Sequence, residues 1–208
     1  DLWFHVDGAI GGVFGLTRKT SSLVNGISMA QSVSINPQKL LGIAKTSSLL
    51  LVSDRNVLKS TFGTDMPYLE PTLGDDFHGG EIGIQGTRPA DVLKLWLGLR
   101  QLGERGVECL LEASISRRIY LQKLLDSSKF NIISGPLHLI ALSPCNVEFG
   151  NASSWAFKTR KQLLEQKFML SRPFYKSRHF LKIVLGNPHT QFTHLEKLSR
   201  LLHQSLIQ

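Results

Sequence analysis

"LWFHVDGAIGG", residues 2–12, alternates bulky side chains as far as Asp7 and then breaks into Gly8, Ala9, Ile10, Gly11 and Gly12. This is the pattern of a buried strand over residues 2–7 whose C-terminal end opens into a glycine-rich loop. Ligands of open α/β sheets collect outside the carboxyl ends of the strands, so a carboxylate at that end stands at the crevice. The small residues behind it let the backbone approach a flat ligand closely. The segment predicts an α/β unit with Asp7 at its working end.

Two further strands follow. "SVSIN" (residues 32–36) is stopped by Pro37, and the turn after it carries Gln38 and Lys39. "SSLLLVSD" (residues 47–54) runs through Leu49–Val52 without alternation and is expected to be buried on both faces. Residues 60–86 are rich in Gly, Pro and Asp and too long for a simple connection, which suits a lid or a binding loop. From Pro89 onward Val92, Leu95, Trp96, Leu99 and Leu102 recur at helical spacing until Gly103, with Trp96 read as core. His5 is likewise read as an interior residue.

A second helix is expected after Gly106, carrying Val107, Leu110, Leu111, Ile115 and Ile119 to about residue 126. The texture then changes to shorter pieces, "FNIISGPLHLIALS" (130–143) and "HFLKIVLGN" (179–187), around a basic helix at residues 153–170. A final amphipathic helix has Thr193 and Glu196 as a capping-box pair and a stripe of Leu195, Leu198, Leu201, Leu202 and Leu206. The domain boundary is placed near residue 106, with an α/β part over 1–105 and a smaller α+β part over 106–208.

Composition narrows the partners. The 208 residues are 42% hydrophobic and 19% charged, as in an ordinary globular core. No stretch approaches the ~20 apolar residues of a membrane helix, so no membrane partner is expected. The first residues lack a signal-peptide pattern and open inside a strand, which suggests the C-terminal portion of something longer. Cys109 and Cys145 are too few for a disulfide scaffold or a zinc site, so a cytoplasmic setting and no metal are expected. The net charge of +8 permits phosphate binding, but the bases are scattered. The densest run, "FKTRKQLLEQK" (157–167), reads as one solvated helix face, and no nucleic-acid partner is expected.

Asp7, Asn36 and Lys39 can converge at the carboxyl ends of neighbouring strands. An amine opposed to a carboxylate is what pyridoxal phosphate needs, one to bond its aldehyde and one to hold its ring nitrogen protonated. From spacing alone, the commoner reading of Lys39 is a solvated turn residue and that of Asp7 a turn cap.

Longer segments carry a resemblance. "LWFHVDGAIGG" resembles the HVDAA-x-GG segment of the group II pyridoxal-phosphate-dependent amino-acid decarboxylases. "AQSVSINPQKLLGIAKTSSLLLVSD" (30–54) is similar to their A-x-S-x-x-x-[ND]-P-H-K segment and following strand. "IGIQGTRPADVLKLWLGLRQLGERG" (82–106) and "FLKIVLGNPHTQFTHLEKL" (180–198) resemble later segments in the same order. The resemblance implies the C-terminal part of a fold type I pyridoxal-phosphate transferase large domain, followed by a small α+β C-terminal domain. It implies Lys39 as the Schiff-base lysine and Asp7 as partner of the ring nitrogen. Asn36 would donate near the phosphate, and Ala9 and Gln38 would line the cofactor. The implied activity is a carboxy-lyase reaction of amino-acid metabolism, converting an L-amino acid to its amine in a homodimer with the active site at the interface.

The chain departs from this pattern in four places. Gln38 stands where the family has His, and an amide cannot exchange a proton near neutral pH. In the loop "PYLEPTLGDDFHGGEIGIQ" (67–85), Tyr68 matches a tyrosine near the loop's start. Phe77 and His78 lie nearer the position of the family's catalytic tyrosine, which makes His78 the candidate proton donor. Gly8 replaces an Ala and is expected only to loosen packing. The family's phosphate-cradling half has no counterpart in the chain, so the chain alone is expected to bind cofactor poorly and to be inactive. Other chemistry on the same fold, aldehyde synthesis or transamination, and a non-catalytic fragment are the alternatives.

Overall fold

The computed structural model describes residues 2–45, 47–64, 79–145 and 149–206. The chain divides into two compact units, Asp1–Glu104 and Arg105–Gln208.

The first unit is built on a three-stranded sheet, β1 (His5–Asp7), β2 (Ser32–Ile35) and β3 (Leu49–Val52), in the order β1-β2-β3. β1 runs parallel to β2, in a register that pairs Asp7 with Ser34. β3 runs antiparallel to β2, with Ile35 opposite Leu49. The alternation in "SVSIN" sets Val33 and Ile35 on the buried face, each 7% exposed, with the polar residues on the other. Val13 and Phe14, from the short 3-10 turn after the glycine loop, complete this core. Pro37 opens the single helical turn α1 (Pro37–Leu40), whose Leu40 is buried together with Leu41 and Ile43. A short helix, α2 (Asn56–Phe62), follows β3.

Several expectations for this unit are corrected, beginning with the first strand, which is His5–Asp7 and largely exposed rather than a buried strand over residues 2–7. β3 is not buried on both faces, since Leu50 and Leu51 are 53% and 51% exposed. The reason is its place at the edge of the sheet as an antiparallel strand, whereas an unbroken apolar run suits a parallel strand covered on both sides. Trp96 is not core: it is 57% exposed, with the Arg100 guanidinium 5.9 Å from its ring centre. His5 is exposed as well, for reasons that belong to the site below.

Helix α3 (Val92–Leu124) is interrupted at Gly103 (φ 61°, ψ 175°), beside the division between the units. Lys94 holds the first stretch by donating to the Lys45 carbonyl at 3.0 Å and pairing with Asp91 at 2.6 Å.

The second unit packs helices on an antiparallel sheet. β4 (Phe130–Ser134), β5 (Leu139–Pro144) and β8 (Leu181–Val184) lie in the order β4-β5-β8, and β6 (Phe174–Tyr175) pairs with β7 (Arg178–His179) as a small hairpin. Helices α4 (Phe149–Glu165) and α5 (Phe192–Gln204) flank them. The core draws Leu121 and Leu125 from α3 and its end, Phe130, Ile140, Leu142 and Leu181 from the sheet, and Leu195, Leu198 and Leu202 from α5. The cap of α5 differs from expectation by two residues: Gln191 is the N-cap and His194 its partner. The Gln191 side chain accepts the His194 backbone N–H, and His194 Nδ1 accepts that of Gln191 at 3.1 Å. Thr193 and Glu196 lie one turn inside, where Glu196 instead accepts the Tyr120 hydroxyl at 2.6 Å.

Candidate functional site

The mixed topology of the first sheet brings three strand ends together. Asp7 closes β1, Asn36 follows β2, and Ser48 precedes β3, which enters the sheet from that same end because it runs antiparallel. The connection from β2 to β3 carries Lys39.

Asp7 bends back into its own loop. Its Oδ1 accepts the Ala9 backbone N–H at 3.0 Å and the Ser34 hydroxyl at 3.2 Å. These donors hold the carboxyl below the usual Asp range, the Ala9 N–H contributing most and Ser34 next. Desolvation opposes them, and the charges of Lys39 and His5 add smaller lowering effects. Among the described residues no hydrogen bond reaches Oδ2.

Gly8, buried against β2, makes this turn possible. A Cβ there would stand 2.8 Å from the Ser34 carbonyl oxygen and 3.3 Å from Val33 Cγ1. The expectation that Gly8 only loosens packing is therefore reversed: the backbone of β2 leaves no room for a methyl group.

Asn36 caps the turn with its backbone carbonyl, which accepts the Lys39 N–H at 3.0 Å. Its side-chain Oδ1 accepts the Ser48 hydroxyl at 3.0 Å, which leaves the amide NH2 as a donor for a ligand. Gln38 is half-buried, and its Oε1 accepts the buried Ser47 backbone N–H at 2.8 Å. It therefore braces the turn. Lys39 itself is exposed, and among the described residues its ammonium has no hydrogen-bond or carboxylate partner. Tyr68, Phe77 and His78 lie outside the described residues.

Sequence reading missed the serines. Ser32, 6% exposed, meets His5 Nδ1 at 2.7 Å through its hydroxyl and accepts the Trp3 indole N–H at 2.8 Å, which draws His5 onto the polar face of the sheet. Ser34 binds Asp7 on that same face. The signal was present in the period-two spacing of Ser32, Ser34 and Asn36, which puts all three on one side of β2.

Within the described residues, a carboxylate oxygen and a primary amine without hydrogen-bond partners, with an amide donor, at one sheet end fit the needs of pyridoxal phosphate. Among the described residues no three His, Cys, Asp or Glu side chains gather as a metal site. No described helix is long and apolar enough to cross a membrane.

The fold is that of the fold type I proteins, as in the crystal structures of mouse CSAD and Oryza sativa TDC. The chain belongs to the pyridoxal-dependent decarboxylase family, whose conserved domain matches residues 1–142. It is 35% identical over 142 residues to mouse (Mus musculus) cysteine sulfinic acid decarboxylase, covering 65% of this chain and 28% of that one. It is 28% identical over 202 residues to the bovine (Bos taurus) acidic amino acid decarboxylase GADL1, covering 90% of this chain and 37% of that one. The crystal structure of Oryza sativa TDC with PLP and tryptamine superposes with a TM-score of 0.87 at 18% identity, over 99% of this chain and 44% of that one. The chain thus spans well under half the length of these relatives.

Proposed function

We propose that this chain carries the lysine-bearing portion of a pyridoxal-phosphate-dependent carboxy-lyase site that decarboxylates an L-amino acid with an acidic side chain. The observation that carries the reading is the placement of Asp7 and Lys39 at one end of the sheet, close enough for the lysine's charge to act on the carboxyl. The substrate class rests on the acidic substrates in the names of the mouse and bovine relatives. On this reading residues 1–105 are the C-terminal part of a cofactor-binding large domain and residues 106–208 a small C-terminal domain. The protein works in the cytoplasm as a homodimer with its active site at the interface.

When bound, pyridoxal phosphate supplies an electron sink for the pair left behind as the α-carboxylate departs as carbon dioxide. Lys39 would supply the amine that holds the group. Asp7, its carboxyl held below the usual Asp range, would keep the ring nitrogen protonated. Asn36 offers its side-chain NH2 to the phosphate. Ala9 keeps the approach to the ring open, and Gln38 holds the lysine turn in place. His78 is assigned the return of a proton to Cα.

The test uses the full-length protein. Borohydride reduction followed by peptide mass analysis is expected to fix the cofactor on Lys39, and the Lys39→Ala variant is expected to lose both the label and carbon dioxide release from cysteine sulfinate. Failure of the wild type to take up pyridoxal phosphate would overturn the reading. Hydrogen peroxide formed in step with carbon dioxide would favour aldehyde synthesis instead.

A further inference from the structure

The parallel register of β1 and β2 sets Asp7 beside Ser34, and the consequences go beyond sheet pairing. The Ser34 hydroxyl and the Ala9 N–H both donate to Oδ1 of Asp7, at 3.2 and 3.0 Å, while Oδ2 receives no hydrogen bond among the described residues. The two donors are linked through the backbone. The Ser34 carbonyl is the atom that Gly8 must approach for the turn to deliver Ala9, so one residue of β2 shapes both halves of the carboxylate's surroundings.

We propose that Ser34 is a positioning residue for the cofactor: with Ala9 it saturates Oδ1 and turns the carboxylate so that Oδ2 is the oxygen presented to the protonated ring nitrogen. This rests on the reading of Asp7 given above. A carboxylate fixed by two donors on one oxygen cannot rotate freely, and its remaining lone pairs point along a defined direction. Both donors also favour the ionised form, the state in which the carboxyl stabilises a cationic ring. Ser34 has no other hydrogen-bonding task in the sheet that would account for a hydroxyl, since its backbone pairs with β1 and β3. Its neighbours Val33 and Ile35 supply the burial.

The experiment compares wild type, Ser34→Ala, Ser34→Thr and Asp7→Asn as full-length holoproteins loaded with pyridoxal phosphate labelled at the ring nitrogen with 15N. The nitrogen's chemical shift, followed against pH, reports its proton. Loss of one charge-assisted hydrogen bond at an exposed site is expected to weaken proton binding at the ring by about threefold to tenfold in Ser34→Ala. Ser34→Thr, which keeps the hydroxyl, is expected to match wild type. A second readout needs no cofactor: the 13C titration of the Asp7 carboxyl in the apoprotein is expected to move to higher pH in Ser34→Ala only. If Asp7→Asn removes the ring proton while Ser34→Ala matches wild type in both titrations, the role of Ser34 is refuted and that of Asp7 stands. If Asp7→Asn leaves the ring nitrogen unchanged, the reading of Asp7 fails and the proposal fails with it.

Discussion

Gln38 holds the turn that presents Lys39: its Oε1 accepts the backbone N–H of Ser47 at 2.8 Å and so ties α1 to the segment entering β3. Ser47 is buried, 5% exposed, so this N–H has no solvent to fall back on. The amide that stands in the family's histidine position is a structural brace in this chain.

Gln38→Ala is therefore expected to leave a buried donor unmet, at a cost of about 1–3 kcal/mol in urea unfolding. Gln38→Glu, which keeps an acceptor in place, should lose less. Equal losses for the two variants would show that the hydrogen bond contributes nothing.

Gly8→Ala drives a methyl group to 2.8 Å from the Ser34 carbonyl, an atom of a paired strand that cannot swing aside. Overpacking of this kind costs about 1–3 kcal/mol. Gly135→Ala, where a Cβ would meet nothing within 4 Å, serves as the control and should stay within about 0.5 kcal/mol of wild type. Denaturation midpoints of the two variants check both expectations.

At Gly103 the cost comes from the backbone alone. Its φ of 61° and ψ of 175° lie where side-chain-bearing residues are strained, although open space surrounds the site. Gly103→Ala is expected to lose about 1–3 kcal/mol, or to straighten the break in α3. Far-ultraviolet circular dichroism at equal concentration distinguishes the two, since a straightened helix adds helical signal.

His138 makes the second unit acid-sensitive. It is 1% exposed, and burial, helped by the nearby charge of Arg117, lowers its pKa from 6.5 to about 4. The unfolded chain takes up a proton below pH 6.5 that the folded state refuses. Stability is therefore full above pH 7 and declines as the pH falls from 6.5 toward 4, by about 3 kcal/mol in all. His138→Gln should flatten that slope. Arg117→Met removes the second cause and should shrink the slope, though it also removes the bond from Arg117 Nε to the Leu185 carbonyl at 3.1 Å. Unfolding measured at pH 7, 5.5 and 4.5 decides.

What the sequence disclosed followed from local chemistry. Pro37 stopping β2, the glycine loop after Asp7, and the leucine stripe of α5 each rest on rules that act within a few residues. The nearness of Asp7 and Asn36 at neighbouring strand ends needed only the strand-end rule. What it concealed depends on neighbours distant in sequence. Leu50 and Leu51 read as buried because an apolar run does not disclose that its strand is an antiparallel edge. His5 read as core because its partner, Ser32, is brought beside it only by the β1–β2 register. The cap of α5 was misplaced because Gln191 and His194 form an unusual pair, while Thr193 and Glu196 fit the common pattern better.

The mixed sheet also bears on the order of assembly. β2 and β3 are joined by the short connection that carries Lys39, with Ile35 opposite Leu49, whereas pairing His5 with Ser32 closes about twice as much chain. Each doubling of a closed loop costs about 0.6 kcal/mol more, a mild but consistent bias toward the shorter closure. The hairpin holding the lysine is thus favoured to form first, and the carboxylate on β1 docks onto it afterwards. Amide exchange should protect Val33 and Leu51 before Val6 during refolding, so the turn that carries Lys39 is closed before the Asp7 carboxylate reaches the sheet.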